Sequence, residues 1–130
     1  MKKIFLLVSV MILTAFVLTS CTTSTSVGGA SIETGSAINN DYEIVSTSNT
    51  FSAGEEFYYS FFNNNDFNSN IVTLRLTDTQ NDEILFEHNY DVEPTWNILA
   101  DTIWFSDPGK YKITLIIDGK VRATQEVIIE

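Results

Sequence analysis

The sequence predicts an all-β protein: a single antiparallel β-sandwich of about seven short strands. Three observations carry that prediction. Across residues 41–130 the apolar residues recur with a period of two, not 3.6. Clusters of Asn, Asp, Ser and Gly punctuate these runs at short intervals. No segment there has the apolar spacing of an amphipathic helix.

The first segment is not part of the sandwich. Lys2 and Lys3 precede an almost wholly apolar stretch, residues 4–18. As a helix this stretch would span roughly 22 Å, short of the ~30 Å hydrocarbon core of a bilayer. It reads as a secretory signal rather than a membrane span. Leu18-Thr19-Ser20-Cys21 follows at once. This run resembles the lipobox of bacterial lipoproteins: Leu at −3, small residues at −2 and −1, then Cys. The resemblance implies transfer of a diacylglyceryl group to the Cys21 sulfur and cleavage before Cys21, so that residues 1–20 are removed. Two acyl chains on glycerol, with a third such as palmitate on the amine, anchor a protein stably where one alone does not. Cys21 is the sole cysteine of the chain, so no internal disulfide is available. A lipid thioether would also occupy a thiol that is otherwise a liability in an exported protein. Thr22 stands where enteric bacteria place an inner-membrane retention Asp. The implied location is the cell envelope; in a two-membrane cell that means the outer membrane or cell surface.

Residues 22–40 are rich in Ser, Thr, Gly and Ala and hold no aromatic residue. Such a composition buries too little surface to offset the entropy of ordering. With Cys21 they are expected to form a flexible tether, residues 21–40, of ~24 Å typical reach. The sandwich is then expected over residues 41–130.

Its strands follow in order. Residues 42–46, Tyr-Glu-Ile-Val-Ser, predict a first strand. Residues 55–62 predict a second, with Phe57, Tyr59 and Phe61 on one face. Residues 71–77 predict a third, with Val72, Leu74 and Leu76 inward and Thr73, Arg75 and Thr77 outward. Residues 83–90 predict a fourth, and residues 95–105 contain a fifth. Residues 111–118 and 121–129 are the last two, joined by a tight turn at Asp118-Gly119.

Asp107-Pro108-Gly109-Lys110-Tyr111-Lys112-Ile113 precedes that terminal hairpin. It resembles the Asp-x-Gly-x-Tyr-x-Cys pattern ahead of strand F in immunoglobulin-like domains, with Ile113 at the cysteine position. The resemblance implies a disulfide-free immunoglobulin- or fibronectin-III-like sandwich. In that family the tyrosine hydroxyl bonds back to the chain and pins a corner, here formed by Asp107, Gly109 and Tyr111. Neither Trp96 nor Trp104 lies on the predicted third strand, where antibody domains keep their core tryptophan.

Composition excludes several function classes. The chain has 130 residues, 17 acidic and 7 basic, for a net charge of −10. Loss of Lys2 and Lys3 with the signal would leave 5 basic side chains against the same 17 acids, a net charge of −12. That argues against a nucleic-acid-binding face, which requires a basic patch. One histidine and one cysteine exclude the usual zinc sites. The lone histidine, His88, sits on a predicted strand with no Gly-x-Ser-x-Gly elbow in the sequence. It reads as a solvent-facing or edge side chain. Seventeen acids make accidental carboxylate pairs unavoidable, so a pair alone does not indicate glycosidase chemistry.

Two candidate sites remain. Calcium takes oxygen ligands from Asp- and Asn-rich loops. Asp66 in the loop of residues 63–70, and Asp78 and Asp82 near Asn81, supply such oxygens. Turns use the same residues for local capping, so both readings stand. Exposed aromatics are the second candidate: Tyr58, Trp96 and Trp104 could form a platform for a glycan or a protein partner, or could be core. The resulting expectation is a non-enzymatic, lipid-anchored envelope lipoprotein. It has no cofactor beyond its covalent lipid and works by interaction or structural support. The alternative is a ligand-binding or protease-inhibitory envelope domain that uses acidic, Asn-rich loops with calcium, or exposed aromatics.

Overall fold

The computed structural model describes residues 24–26 and 29–130. The signal segment and Cys21 lie outside the described residues. Nine strands run β1 Ser24–Ser26, β2 Ser31–Gly35, β3 Thr50–Phe51, β4 Phe57–Phe62, β5 Ile71–Asp78, β6 Glu83–Asp91, β7 Ile98–Ile103, β8 Gly109–Ile117 and β9 Lys120–Ile129. They form two sheets, and the described residues contain no helix. The larger sheet has the order β1-β9-β8-β5-β6, with β3 also paired to β9; the smaller has the order β2-β4-β7. All pairings are antiparallel except the two-residue β3–β9 contact. With β2, β4 and β7 as strands A, B and E, and β5, β8 and β9 as C, F and G, this is the strand order of an immunoglobulin-like sandwich.

Period-two patterning is what buries the core. On β5, Val72, Leu74 and Leu76 are inward and buried. Leu74 stands opposite Leu115, and Leu76 opposite Ile113. On β4, Phe57, Tyr59 and Phe61 turn inward and are essentially inaccessible. Rings fill both ends of the space between the sheets. Phe57 lies between Phe51, at 3.8 Å between ring centroids, and Phe105, at 6.3 Å; Phe105 then stacks on Tyr111 at 4.1 Å. At the other end Phe61 stacks on Phe67 at 5.6 Å. Each large side chain removed from water contributes about 1.5–3 kcal/mol.

Six of the seven predicted strands are present, as β4 to β9. The β8–β9 turn is as expected, with Asp118 and Gly119 both at positive φ, the conformation of a two-residue hairpin turn. The Tyr111 hydroxyl donates to the Asp107 carbonyl at 2.7 Å. The corner therefore exists, and the Gly109 Cα lies against the Tyr111 ring, where a Cβ would meet it at 3.4 Å.

Two expectations are corrected. The tether does not extend to residue 40. Ser24–Ser26 pairs with β9, and Ser31–Gly35 pairs along its whole length with β4. Ala30, Ile32 and Thr34 are buried in alternation with exposed Ser31 and Glu33. The mean composition of the segment is polar, but its alternation supplies one buried face, and β4 and β9 supply the pairing. The predicted strand over residues 42–46 is also absent. Tyr42 has φ 64°, a left-handed conformation that no strand tolerates. Residues 36–47 instead form a flap joined to itself and to β2 by isolated bridges, Ile38 with Ile44 and Gly35 with Thr47. Gly35 is required there, because a Cβ would collide with the Ser46 carbonyl oxygen and the Ile44 side chain.

Candidate functional site

The outer face of the three-stranded sheet carries the concave surface of interest. Its residues are fixed by alternation: since Tyr59 and Phe61 face inward, Tyr58, Ser60 and Phe62 face outward. They stand opposite Thr102, Ala100 and Ile98 of β7 on one side and Gly35, Glu33 and Ser31 of β2 on the other.

The flap crosses this face. Its tip is organised by Asn39, whose side-chain oxygen accepts from the Asp41 and Glu43 amides at 2.8 and 3.0 Å. The Asn39 amide nitrogen donates to the Glu43 carboxylate at 3.1 Å. Ser60 then holds the tip to the sheet, donating its hydroxyl to the Tyr42 carbonyl at 2.6 Å. Ile44 is buried beneath the flap, while the Tyr42 side chain is 58% exposed.

Two adjoining grooves result. One, of about 520 Å³, lies between flap and sheet and is lined by Glu33, Asp41, Glu43, Ser60 and Phe62. The other, of about 490 Å³, lies between Tyr42 and Trp96 over Ile98, Leu99 and Ala100. They share Asn97 and Ile98. No lysine or arginine lines either groove. The first is therefore acidic with one aromatic wall, and the second is aromatic on two sides.

Trp96 is held in place by its backbone. Its amide donates to the Glu93 carbonyl at 3.0 Å, and its own carbonyl accepts from the Phe67 amide at 2.7 Å. The loop of residues 63–70 supports it from behind. Asn63 is buried; its amide donates to the Asn97 carbonyl at 2.8 Å, and its side chain donates to the Asn65 carbonyl at 2.7 Å and accepts from Arg122. That loop is scaffolding for the groove and not its surface.

The sequence candidates separate accordingly. Trp96 and Trp104 are 47% and 55% exposed, so neither is a core side chain. Only Trp96 reaches a groove. Trp104 lies one residue past the far end of β7, roughly 25 Å along the strand direction from Trp96. Tyr58 is half-buried on the outer face and lines neither groove. Tyr42, Glu33, Asp41 and Glu43 were not singled out by sequence reasoning. The Asn39-Asn40-Asp41 run was the signal for a tip that presents Tyr42, since such residues favour turns.

The calcium candidates are not brought together. Asp66 precedes β5, whereas Asp78 ends it and Asp82 follows, the strand's eight residues and roughly 25 Å away. The Asp78 carboxylate caps the Gln80 amide at 2.9 Å, and Asp82 takes positive φ in the same turn. Among the described residues, no group of three or more His, Cys, Asp or Glu side chains is placed to hold a metal.

A hydrogen-bonded chain crosses the sandwich at its β6–β7 side. The buried Tyr59 hydroxyl donates to Tyr90 at 3.0 Å, and the Tyr90 hydroxyl donates to the Asp101 carboxylate at 2.7 Å. Burial pushes the Tyr90 hydroxyl up to about 12 and the deeper Tyr59 hydroxyl further still. His88 is exposed on β6, with its ring edge-on to Tyr90 at 4.6 Å and stacked on Phe86 at 6.3 Å.

No protein-family model and no curated protein matches the sequence. Among solved structures, the chain is similar to the soluble domain of PmoD from a Methylocystis species, at 13% identity, 78% of this chain, 90% of that chain and a TM-score of 0.48. It is also similar to the CARDB domain of a Pyrococcus furiosus protein solved in complex with di-metal ions, at 11% identity, 85% of this chain, 94% of that chain and a TM-score of 0.43.

Proposed function

We propose that this chain is a non-enzymatic recognition module, anchored to a bacterial envelope by lipid on Cys21, that binds its partner through the outer face of the three-stranded sheet. The observation that carries the reading is the pair of adjoining grooves between the flap and β7, with Tyr42 and Trp96 facing each other across one of them. Large exposed rings beside a preformed hollow are what binding surfaces use, because an aromatic side chain supplies contact area at little entropic cost. The flap is tied down by six hydrogen bonds centred on Asn39 and Ser60, so the site is formed before any ligand arrives. A glycan stacking its flat face on the rings, or a protein side chain seated between them, fits this surface. The acidic neighbours Glu33, Asp41 and Glu43 favour a partner with basic groups at its rim.

Tryptophan emission tests the reading. Residues 22–130, titrated with solubilised envelope fractions, should show a change in emission that disappears in Trp96→Phe and persists in Trp104→Phe. A response carried by Trp104, or none, would count against the groove.

A further inference from the structure

The smaller sheet is one strand short on its β7 side. Phe86, His88 and Tyr90 of β6 stand opposite Leu76, Leu74 and Val72 of β5. Directly opposed residues share a face of the sheet, so these three side chains project on the core-facing side. Their partners on β5 are buried, yet Phe86 is 50% exposed and His88 is exposed as well. The reason is the unequal width of the two sheets. The larger sheet continues to β6, while the smaller one stops at β7. The Tyr59–Tyr90–Asp101 chain bridges the gap.

The second edge of β7 carries no strand among the described residues. Asp101 occupies it: its carboxylate accepts from the Thr102 amide at 2.8 Å as well as from Tyr90. An inward-pointing charge on a free edge discourages indiscriminate strand pairing. Glu87 and Asp91 of β6 stand opposite Arg75 and Ile71, on the outer face of the larger sheet, so Asp101 supplies the charge at this edge. The described chain begins at β1, the opposite edge of the larger sheet, four strand spacings or about 19 Å from β6.

We propose that an extended, basic strand from a partner protein adds to the free edge of β7, completing the smaller sheet. On its inward face, apolar side chains would cover Phe86 and His88, and a lysine or arginine two residues along that same face would meet Asp101. Backbone pairing would supply affinity, and the Asp101 charge would select the strand. A second copy of this chain is a poorer occupant, because a two-fold contact here would bring two Asp101 carboxylates together and supply a cation to neither. The inference concerns the opposite side of β7 from the aromatic grooves and does not depend on them.

The test uses residues 22–130, which hold the nine described strands, and a blocked synthetic peptide with valine, lysine and valine at alternate positions on one face and threonine between them. Its control is the same peptide with glutamate in place of lysine. The expected result is saturable binding of the lysine peptide alone, with slowed amide exchange confined to residues 98–103. Binding should weaken about tenfold in Asp101→Ala through loss of the charge pair. Phe86→Ser, at an already exposed position, should also weaken binding while leaving the fold intact. Equal binding of both peptides, protection mapped elsewhere, or affinity unchanged in both variants would overturn the proposal. So would a peptide-free dimer, detected by sedimentation, that protects residues 98–103.

Discussion

Tyr111 and the Tyr59–Tyr90 pair show how single hydroxyls set the stability of this fold. The Tyr111 hydroxyl is the donor of the corner bond to the Asp107 carbonyl, and its ring closes the aromatic stack through Phe105. Tyr111→Phe keeps the ring and removes only the donor. The expected cost is about 1 kcal/mol, read as a drop of roughly 4–8 °C in Tm for a domain of this size. Tyr59 and Tyr90 act differently, through pH. Burial raises both hydroxyls, Tyr90 to about 12, above the value near 10 of an unfolded tyrosine. Below about pH 10 both states keep these protons and the contribution to stability is complete. As pH rises further, the unfolded chain releases protons that the folded chain retains, so stability falls. Denaturant melts at about pH 9 and about pH 11 should show a smaller loss for Tyr59→Phe/Tyr90→Phe than for the wild type. The Tyr111 corner was legible in the sequence, because Asp-x-Gly-x-Tyr has a fixed spacing ahead of a hairpin. The Tyr59–Tyr90–Asp101 chain was not, since it joins residues 31 and 11 apart through tertiary contact alone.

At the scale of elements, β2 and the flap decide where the domain begins. Ile32 is buried on β2 and stands opposite Phe61. Ile32→Ala should therefore cost about 2–5 kcal/mol, the usual range for truncating a core side chain, measured by chemical denaturation; a flexible tether at this position would give no change. The strands with long apolar alternation, β5 and β8 among them, could be read directly. β2 could not, because Ser31, Glu33 and Thr34 dilute its one apolar side chain, Ile32, below any compositional signal. The flap failed in the opposite sense. Residues 42–46 are good strand formers, but Asn39 captures the Asp41 and Glu43 amides and turns the chain at Tyr42. Side-chain capping overrode β propensity. That substitution of flap for strand is what creates the grooves, so the candidate site lay where the sequence pattern misled.

At the scale of the whole molecule, the proposed lipid anchor precedes a sandwich whose proposed binding surfaces lie on its three-stranded sheet. Sequence alone supports the anchor, through the register of Lys2, Lys3, the apolar stretch and Leu18-Thr19-Ser20-Cys21. Cys21→Ala should move the protein from the membrane to the soluble fraction on detergent-free fractionation. Of the expected tether, residues 21–23 and 27–28 lie outside the described residues. The aromatic exposure that marks the binding face is a property of tertiary structure: Trp96 and Trp104 read alike in the sequence, and only the folded chain sets Trp96 opposite Tyr42. The most direct test of recognition through that face compares residues 22–130 with the Tyr42→Ala/Trp96→Ala variant in quantitative capture from the producing cell's own envelope extract, read by mass spectrometry and glycan analysis. Recognition through the grooves predicts at least one protein or glycan enriched by the wild type and lost by the variant; identical capture profiles from two equally folded proteins would contradict it.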